Sequence, residues 1–83
     1  MPEFEITGDL LTDVQNAIDN NAVVHISYTD RKGNMSDRQI APLEIRGDRL
    51  YGWDLSKNGL RLFILDQIDS YEVLDETFDP DSF

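Results

Sequence analysis

"RLYGWDLSKNGLRLFILDQI", residues 49–68, places two short apolar runs on either side of Ser56-Lys57-Asn58-Gly59. Both runs alternate, so "RLYGWDL" and "LRLFIL" read as neighbouring strands. Asn58-Gly59 is the strongest short hairpin signal in the chain, because both residue types accept the positive φ that a tight turn demands. In the second run Arg61, Phe63 and Leu65 share one face, with Leu62 and Ile64 on the other. A hairpin with this mixture of aromatics, aliphatics and arginines either lines a ligand groove or forms part of a small β core. The flanking sequence bears on which.

Upstream, "AVVHISYTD" (22–30) sets Val24, Ile26 and Tyr28 on one face and Val23, His25 and Ser27 on the other, the pattern of a half-buried strand. "DRKGN" (30–34) follows as a hairpin turn, with Gly33 and Asn34 available for positive φ. "MSDRQIAPLEIRG" (35–47) is the returning strand, with Arg38 and Ile40 on one face. Pro42 cannot donate to a ladder, so this strand is expected to bend or reach an edge there. Gly47-Asp48 centres the next turn. Downstream, "DQID" (66–69) is a short turn, "SYEVLD" (70–75) a shorter fifth strand, and "ETFDPDSF" (76–83) an acidic tail that Phe78 could anchor.

Ahead of the strands, "DLLTDVQNAIDN" (9–20) repeats its apolar residues at spacings of three and four. Leu10, Leu11, Val14, Ala17 and Ile18 form the stripe of an amphipathic helix. Thr7 or Asp9 could cap it, and Thr12–Gln15 also has the form of a capping box. Asn20 and Asn21 are suited to end it. The stripe is expected to cover one open end or face of the sheet. The expected fold is mainly β: one N-terminal helix and five strands in a strongly bent sheet or small barrel. One domain spans 1–83, with the helix at about 9–20, the barrel at about 22–75 and the tail at about 76–83.

Composition narrows the chemistry. The 83 residues include no cysteine and one histidine, His25, so neither a thiolate metal site nor a histidine-based one is expected. No apolar run approaches the roughly 20 residues that span a bilayer. "MPEFEITGD" lacks the basic region and apolar core of a signal peptide. A cytoplasmic protein without a membrane partner is expected. The net charge of −10 argues against generic binding to phosphate backbones, which relies on cationic side chains. The charge is zoned: the first 30 residues and the last 18 carry acids and no Lys or Arg, and all seven bases lie between Arg31 and Arg61. Such zoning is either a solvated surface or a local cationic patch able to hold one anion.

Arg38, Tyr51 and Arg61 fall on three successive strands. Two guanidiniums near an aromatic could grip a phosphate and stack a base. The plainer alternative pairs each arginine with a nearby carboxylate, such as Asp37, Asp54 or Asp66. Tyr28 and Trp53 read as core or half-buried sheet residues, Phe63 as core, and His25 as a solvent-facing or hydrogen-bonded surface residue. No carboxylate pair has the context of an acid–base couple. There is no nucleophile motif or Gly-rich phosphate loop, and "DPDSF" lacks calcium-loop spacing. No catalytic residue, metal or cofactor is expected, and hence no enzyme.

The ordered set of these residues resembles the WYL domain, an Sm-like, SH3-type barrel with a leading helix. That domain is found mainly in bacterial transcription regulators and attached to some helicases and CRISPR-related proteins. The resemblance runs from about Leu10 to Pro80. It begins at Ala17-Ile18 and "VVHISY" ending in Tyr28, and continues through Gly33 and "RQIAP" with Arg38 and Pro42. The Trp-Tyr-Leu signature falls on Leu50-Tyr51-Gly52, keeping the tyrosine alone. The family's Arg-x-Phe-Arg-Leu-Asp-Arg-Ile segment falls on "RLFILDQI". Arg61, Phe63, Leu65, Asp66 and Ile68 match, while Ile64 and Gln67 replace arginines. "TFDP" is similar to the family's closing Phe-x-x-Pro.

The resemblance implies a ligand-sensing module whose arginines and aromatics bind a nucleotide or single-stranded nucleic acid. The expected function is therefore that of a stand-alone, non-catalytic regulatory module in transcription or defence, with Arg38, Tyr51 and Arg61 as ligand contacts. A competing expectation, from the acidity and the two lost arginines, is a protein-interaction module. It would bind the basic, nucleic-acid-facing surface of a partner and mimic the charge of DNA. The uncharged run Leu62–Leu65, if it lies on an edge strand, also admits a homo-oligomer.

Overall fold

A computed structural model describes the backbone of residues 6–82 and the side chains of residues 10–82. Helix α1 spans Ile6–Asn20, and five strands follow: β1 Ala22–Thr29, β2 Met35–Arg46, β3 Arg49–Asp54, β4 Gly59–Ile64 and β5 Ile68–Thr77. A 3-10 turn, Leu65–Gln67, joins β4 to β5, and a second, Pro80–Ser82, ends the described chain. The strands form one antiparallel sheet in the order β4-β3-β2-β1-β5.

The helix begins a turn before the expected start, so Thr7, Asp9 and Thr12 lie within it rather than at its cap. The side chains of Thr7 and Asp9 lie outside the described residues. Asn21, at φ 56°, ends the helix in the left-handed region. Leu10, Val14 and Ala17 are buried, with Ile18 packed beside them, against Val24, Ile26, Ile40, Leu50, Phe63, Leu65 and Ile68 of the sheet side. Leu11 leaves the expected stripe and is exposed. α1 therefore covers one face of the sheet, and that face is the core. Among the described residues no helix is long and apolar enough to cross a membrane.

Val24 and Ile26 of β1 point into the core, as their alternation requires, and Tyr28 continues their row. β5 is longer than expected, because β1 pairs with it along most of its length, with irregularities near Ala22 and Ser27. The tail is held at its root, where the Phe78 N–H donates to the Asn21 carbonyl at 2.9 Å.

Pro42 behaves as its missing N–H requires. The β1–β2 register ends at the Val24–Ile40 pair, so at Pro42 strand β2 has a neighbour only on its β3 side. Directly beyond, Leu43 is an extra residue, because Pro42 opposes Gly52 and Glu44 opposes Tyr51. One inserted residue reverses every side chain after it. Ile45 is thereby turned inward to pack on the core opposite Leu50. Gly52 sits against this bend: a Cβ there would stand 3.1 Å from the Ala41 carbonyl oxygen, tighter than ordinary contact. A leucine at this position, as the signature tripeptide would supply, crowds the bulged strand.

The ladder is open. β4 pairs only with β3, and β5 only with β1, so the backbone does not close into the expected barrel. Tyr28 spans part of the gap. Its ring meets Phe63 edge to face, with centroids 5.2 Å apart. Its hydroxyl accepts from the Ile64 N–H at 2.9 Å and donates to Gln67 Oε1 at 2.8 Å. Gln67, one of the two positions where the family would carry arginine, thus has a structural partner. Tyr28→Phe should cost about 1–2 kcal/mol, because the half-buried Ile64 N–H loses its acceptor while the ring packing remains. Urea denaturation of the two proteins checks this, with a lower midpoint expected for the variant.

Candidate ligand-binding face

The three site residues read from the sequence do not converge on one surface. Ile26 opposes Arg38 and Ile40 opposes Asp54, so Arg38 and Asp54 belong to the core-side face of the sheet. Gly52 opposes Arg61, which gives Arg61 the same face, two strands from β2. Tyr51 opposes Leu62 and lies on the outer face. The side chain of Arg38 is 23% exposed and its Nη1 donates to Asp54 Oδ2 at 2.7 Å. Of the carboxylates weighed as its partner, it takes Asp54.

Asp54 is the one fully buried charged residue among the described residues, and the sequence reading treated it only as a candidate partner. Its second oxygen, Oδ1, accepts from the N–H groups of Ser56 and Lys57 at 3.0 and 3.2 Å. Its own carbonyl accepts from the Asn58 N–H at 2.7 Å. Burial disfavours the charged carboxylate, but the Arg38 guanidinium and these backbone donors outweigh it and hold the group below the usual carboxylate range. The result is a four-residue loop, 55–58, with Asn58 in the left-handed region at φ 55° and Gly59 already in β4. The loop thus begins one residue earlier than the stretch 56–59 between the expected strands, and Asn58 ends it instead of sharing its centre with Gly59, because the Asp54 carboxylate organises residues 55–58.

Arg61 is exposed and makes no ion pair among the described residues; the same is true of Arg31, Lys32 and Lys57. Arg46 is held by Glu44 at 2.7 Å, and Arg49 lies 3.9 Å from Asp48. His25 is on the outer face, 3.8 Å from Asp37, whose carboxylate also accepts from the Ser27 hydroxyl.

The outer face of β3 and β4 carries a row that the sequence reading did not assemble. Tyr51 and Trp53 are half-buried there, directly across from Leu62 and Leu60. Arg49 opposes Ile64 at the end of the same row. The Trp53 indole N–H reaches Asn58 Oδ1 at 3.3 Å. Leu60 and Leu62 remain 61% and 45% exposed. Tyr51, with a cation at the row's end, offers a flat face on which a planar group can stack. The signal was the Tyr51-x-Trp53 spacing, which the Asn58 loop fixes onto one surface.

Comparison with known proteins agrees with this architecture. A search of the curated proteins finds no match. Among solved structures, proteasome accessory factor B/C (PafBC) of Arthrobacter aurescens is similar at 18% sequence identity and a TM-score of 0.81. The match covers 99% of this chain and 14% of that one, so the likeness is of one fold unit within a much longer protein. A family model for the WYL domain matches residues 9–73, taking in α1 from Asp9 onward, all of β1 to β4 and β5 as far as Val73. The chain belongs to the WYL domain family.

Proposed function

We propose that this chain is a non-catalytic regulatory module that senses a nucleotide or a short single-stranded nucleic acid. Family membership supports the regulatory role, and Tyr51 on the outer face, in one row with Arg49, carries the ligand class. Tyr51 supplies a stacking face. Arg49, at the end of the same row, supplies the charge, whereas Arg61 faces the other side of the sheet. Arg38 acts indirectly, by holding Asp54 and with it the 55–58 loop under Trp53. With a net charge of −10 the interaction is local and modest, and it weakens as salt rises.

A labelled oligothymidylate titrated at low and moderate salt tests this. Binding is expected at low salt, with Tyr51→Ala losing about 1–3 kcal/mol, the usual worth of one base–aromatic stack. Arg49→Ala should flatten the salt dependence. Absence of binding at low salt would sink the reading, since electrostatic attraction is then at its greatest.

A second reading rests on the opposite edge of the sheet. Asp69, Glu72, Asp75 and Glu76 of β5 are all exposed. Those exposed carboxylates, on both faces of the edge strand, suit a basic, nucleic-acid-facing surface of a partner protein. Under this reading oligonucleotides are refused, and a basic partner is retained at low salt and released at high salt.

A further inference from the structure

The free edge of β4 has a defined length and a defined chemistry. The Ile64 N–H points away from β3, since it donates to the Tyr28 hydroxyl. Outward groups recur at every second residue of an antiparallel strand. The N–H and C=O groups of Leu60 and Leu62 therefore also face outward, and the ladder gives β4 no strand partner on that side. Beyond Leu62 the Tyr28 hydroxyl occupies the next donor, so an added strand can pair over Leu60–Leu62 and then must turn away.

The side chains along this edge state what fits. Leu60 and Leu62 are the exposed apolar flanks of Arg61. A strand bonded to Leu60 and Leu62 sets one residue directly across from Arg61, in the closely spaced non-hydrogen-bonded position. A two-fold pairing of β4 with β4 of a second copy, using these same free groups, places Arg61 against Arg61, a like-charge contact. A carboxylate there is complementary instead. The edge also leads into a shallow surface pocket lined by Tyr28, Arg31, Lys32, Leu62, Ile64 and Gln67. Arg31 and Lys32 add two further cations there. Asp30 also lines this pocket, but its carboxylate is already engaged by the N–H groups of Lys32 and Asn34.

We propose that the β4 edge, with Arg61 at its centre, accepts an extended segment of a partner protein by strand addition, and that this segment reads apolar–acidic–apolar. Main-chain bonds to Leu60 and Leu62 give the affinity, and the acidic residue facing Arg61 gives the selectivity. The proposal uses the strand edge and does not rest on the nucleotide reading, whose own control is Tyr51→Ala.

The probe is a fluorescein-labelled eight-residue peptide with a central Val-Glu-Val, titrated into the intact protein and followed by anisotropy. Saturable binding is expected. A Val-Lys-Val peptide should bind about three- to tenfold more weakly. A peptide N-methylated at the central backbone amides should lose binding by about tenfold or more. Arg61→Glu, at an exposed position, should reverse the order of the Glu and Lys peptides. Leu62→Pro should abolish binding and keep the β3–β4 ladder, because the N–H it removes points outward. The proposal fails if the Glu peptide does not bind at low salt, or if the Lys or N-methylated peptide binds as well. It also fails if the protein alone forms dimers that Leu62→Pro dissolves, since the occupant is then a second copy.

Discussion

Arg38→Ala is expected to destabilise the protein by about 3–5 kcal/mol, the usual result of removing one partner from a buried ion pair. Asp54 has no exposed surface, and without Arg38 its charge would be met by only two backbone N–H groups. For a domain whose whole stability is on the order of 5–15 kcal/mol, that loss is severe. The effect carries its own pH signature. In the native protein the Asp54 carboxyl is held below its ordinary value. Its stabilising contribution is thus complete above the unfolded value of about 3.9, and is lost as pH falls through the folded one. In the variant, burial acts unopposed by the guanidinium, so protonation relieves strain instead of causing it. The stability gap between the two proteins should therefore narrow as pH is lowered below neutrality and continue to narrow below about pH 4. Urea titrations at three pH values measure it. A constant gap would mean that Arg38 acts by some route other than Asp54.

This bears on how Arg38→Ala would behave in a binding assay. Lost ligand affinity in that variant would follow from a disordered 55–58 loop, and so would not identify Arg38 as a contact. Tyr51→Ala and Arg49→Ala do not share the ambiguity, since neither residue is fully buried and neither holds a buried charge.

Most of the sheet was legible in the sequence, because period-two alternation and turn chemistry are local signals. Val24-Ile26-Tyr28, Gly33 and Gly47 all sit where they were expected. Two features went unread, only the first of which required tertiary information. Pro42 announced a break in β2, but not that Leu43 would be inserted and Ile45 turned inward, because a bulge is decided by what the following residues can bury. Asn58-Gly59 announced a hairpin, but the loop length was decided by Asp54, whose carboxylate holds the N–H groups two and three residues on. That is a local signal of the Asx type, and it was available in Asp54-Leu55-Ser56-Lys57.

The site was less legible than the fold, for a geometric reason that counting alone exposes. A hairpin loop of either two or four residues between β3 and β4 leaves Tyr51 opposite an even-numbered residue. Arg61 then points to the other face, whatever the register. Three residues on successive strands are thus not a constellation until their parity has been compared. Trp53 shares the parity of Tyr51, and the pair of them is what the sheet presents together.

Ile26→Ala should be among the most damaging truncations of an apolar side chain, at about 2–5 kcal/mol. Ile26 has no exposed surface and lies on β1, which pairs on both sides, with Arg38 in β2 and Tyr71 in β5. Removing its side chain opens a cavity beneath α1 that two bonded neighbours prevent from collapsing. Ile26→Val, which leaves most of the volume filled, should cost only about 0.5–1.5 kcal/mol. Leu60→Ala is the contrasting case. It removes comparable apolar area from a residue that is 61% exposed, and its effect should stay within about 0.5 kcal/mol. Leu50→Ala should resemble Ile26→Ala, since Leu50 is equally buried in the same cluster. The two alanines should not add, because each lets the other's cavity relax through shared neighbours. Urea midpoints for the four single variants and the double variant check the series. If Leu60→Ala proves as costly as Ile26→Ala, the β4 edge is covered in solution, and the protein must then be examined for a partner strand already in place.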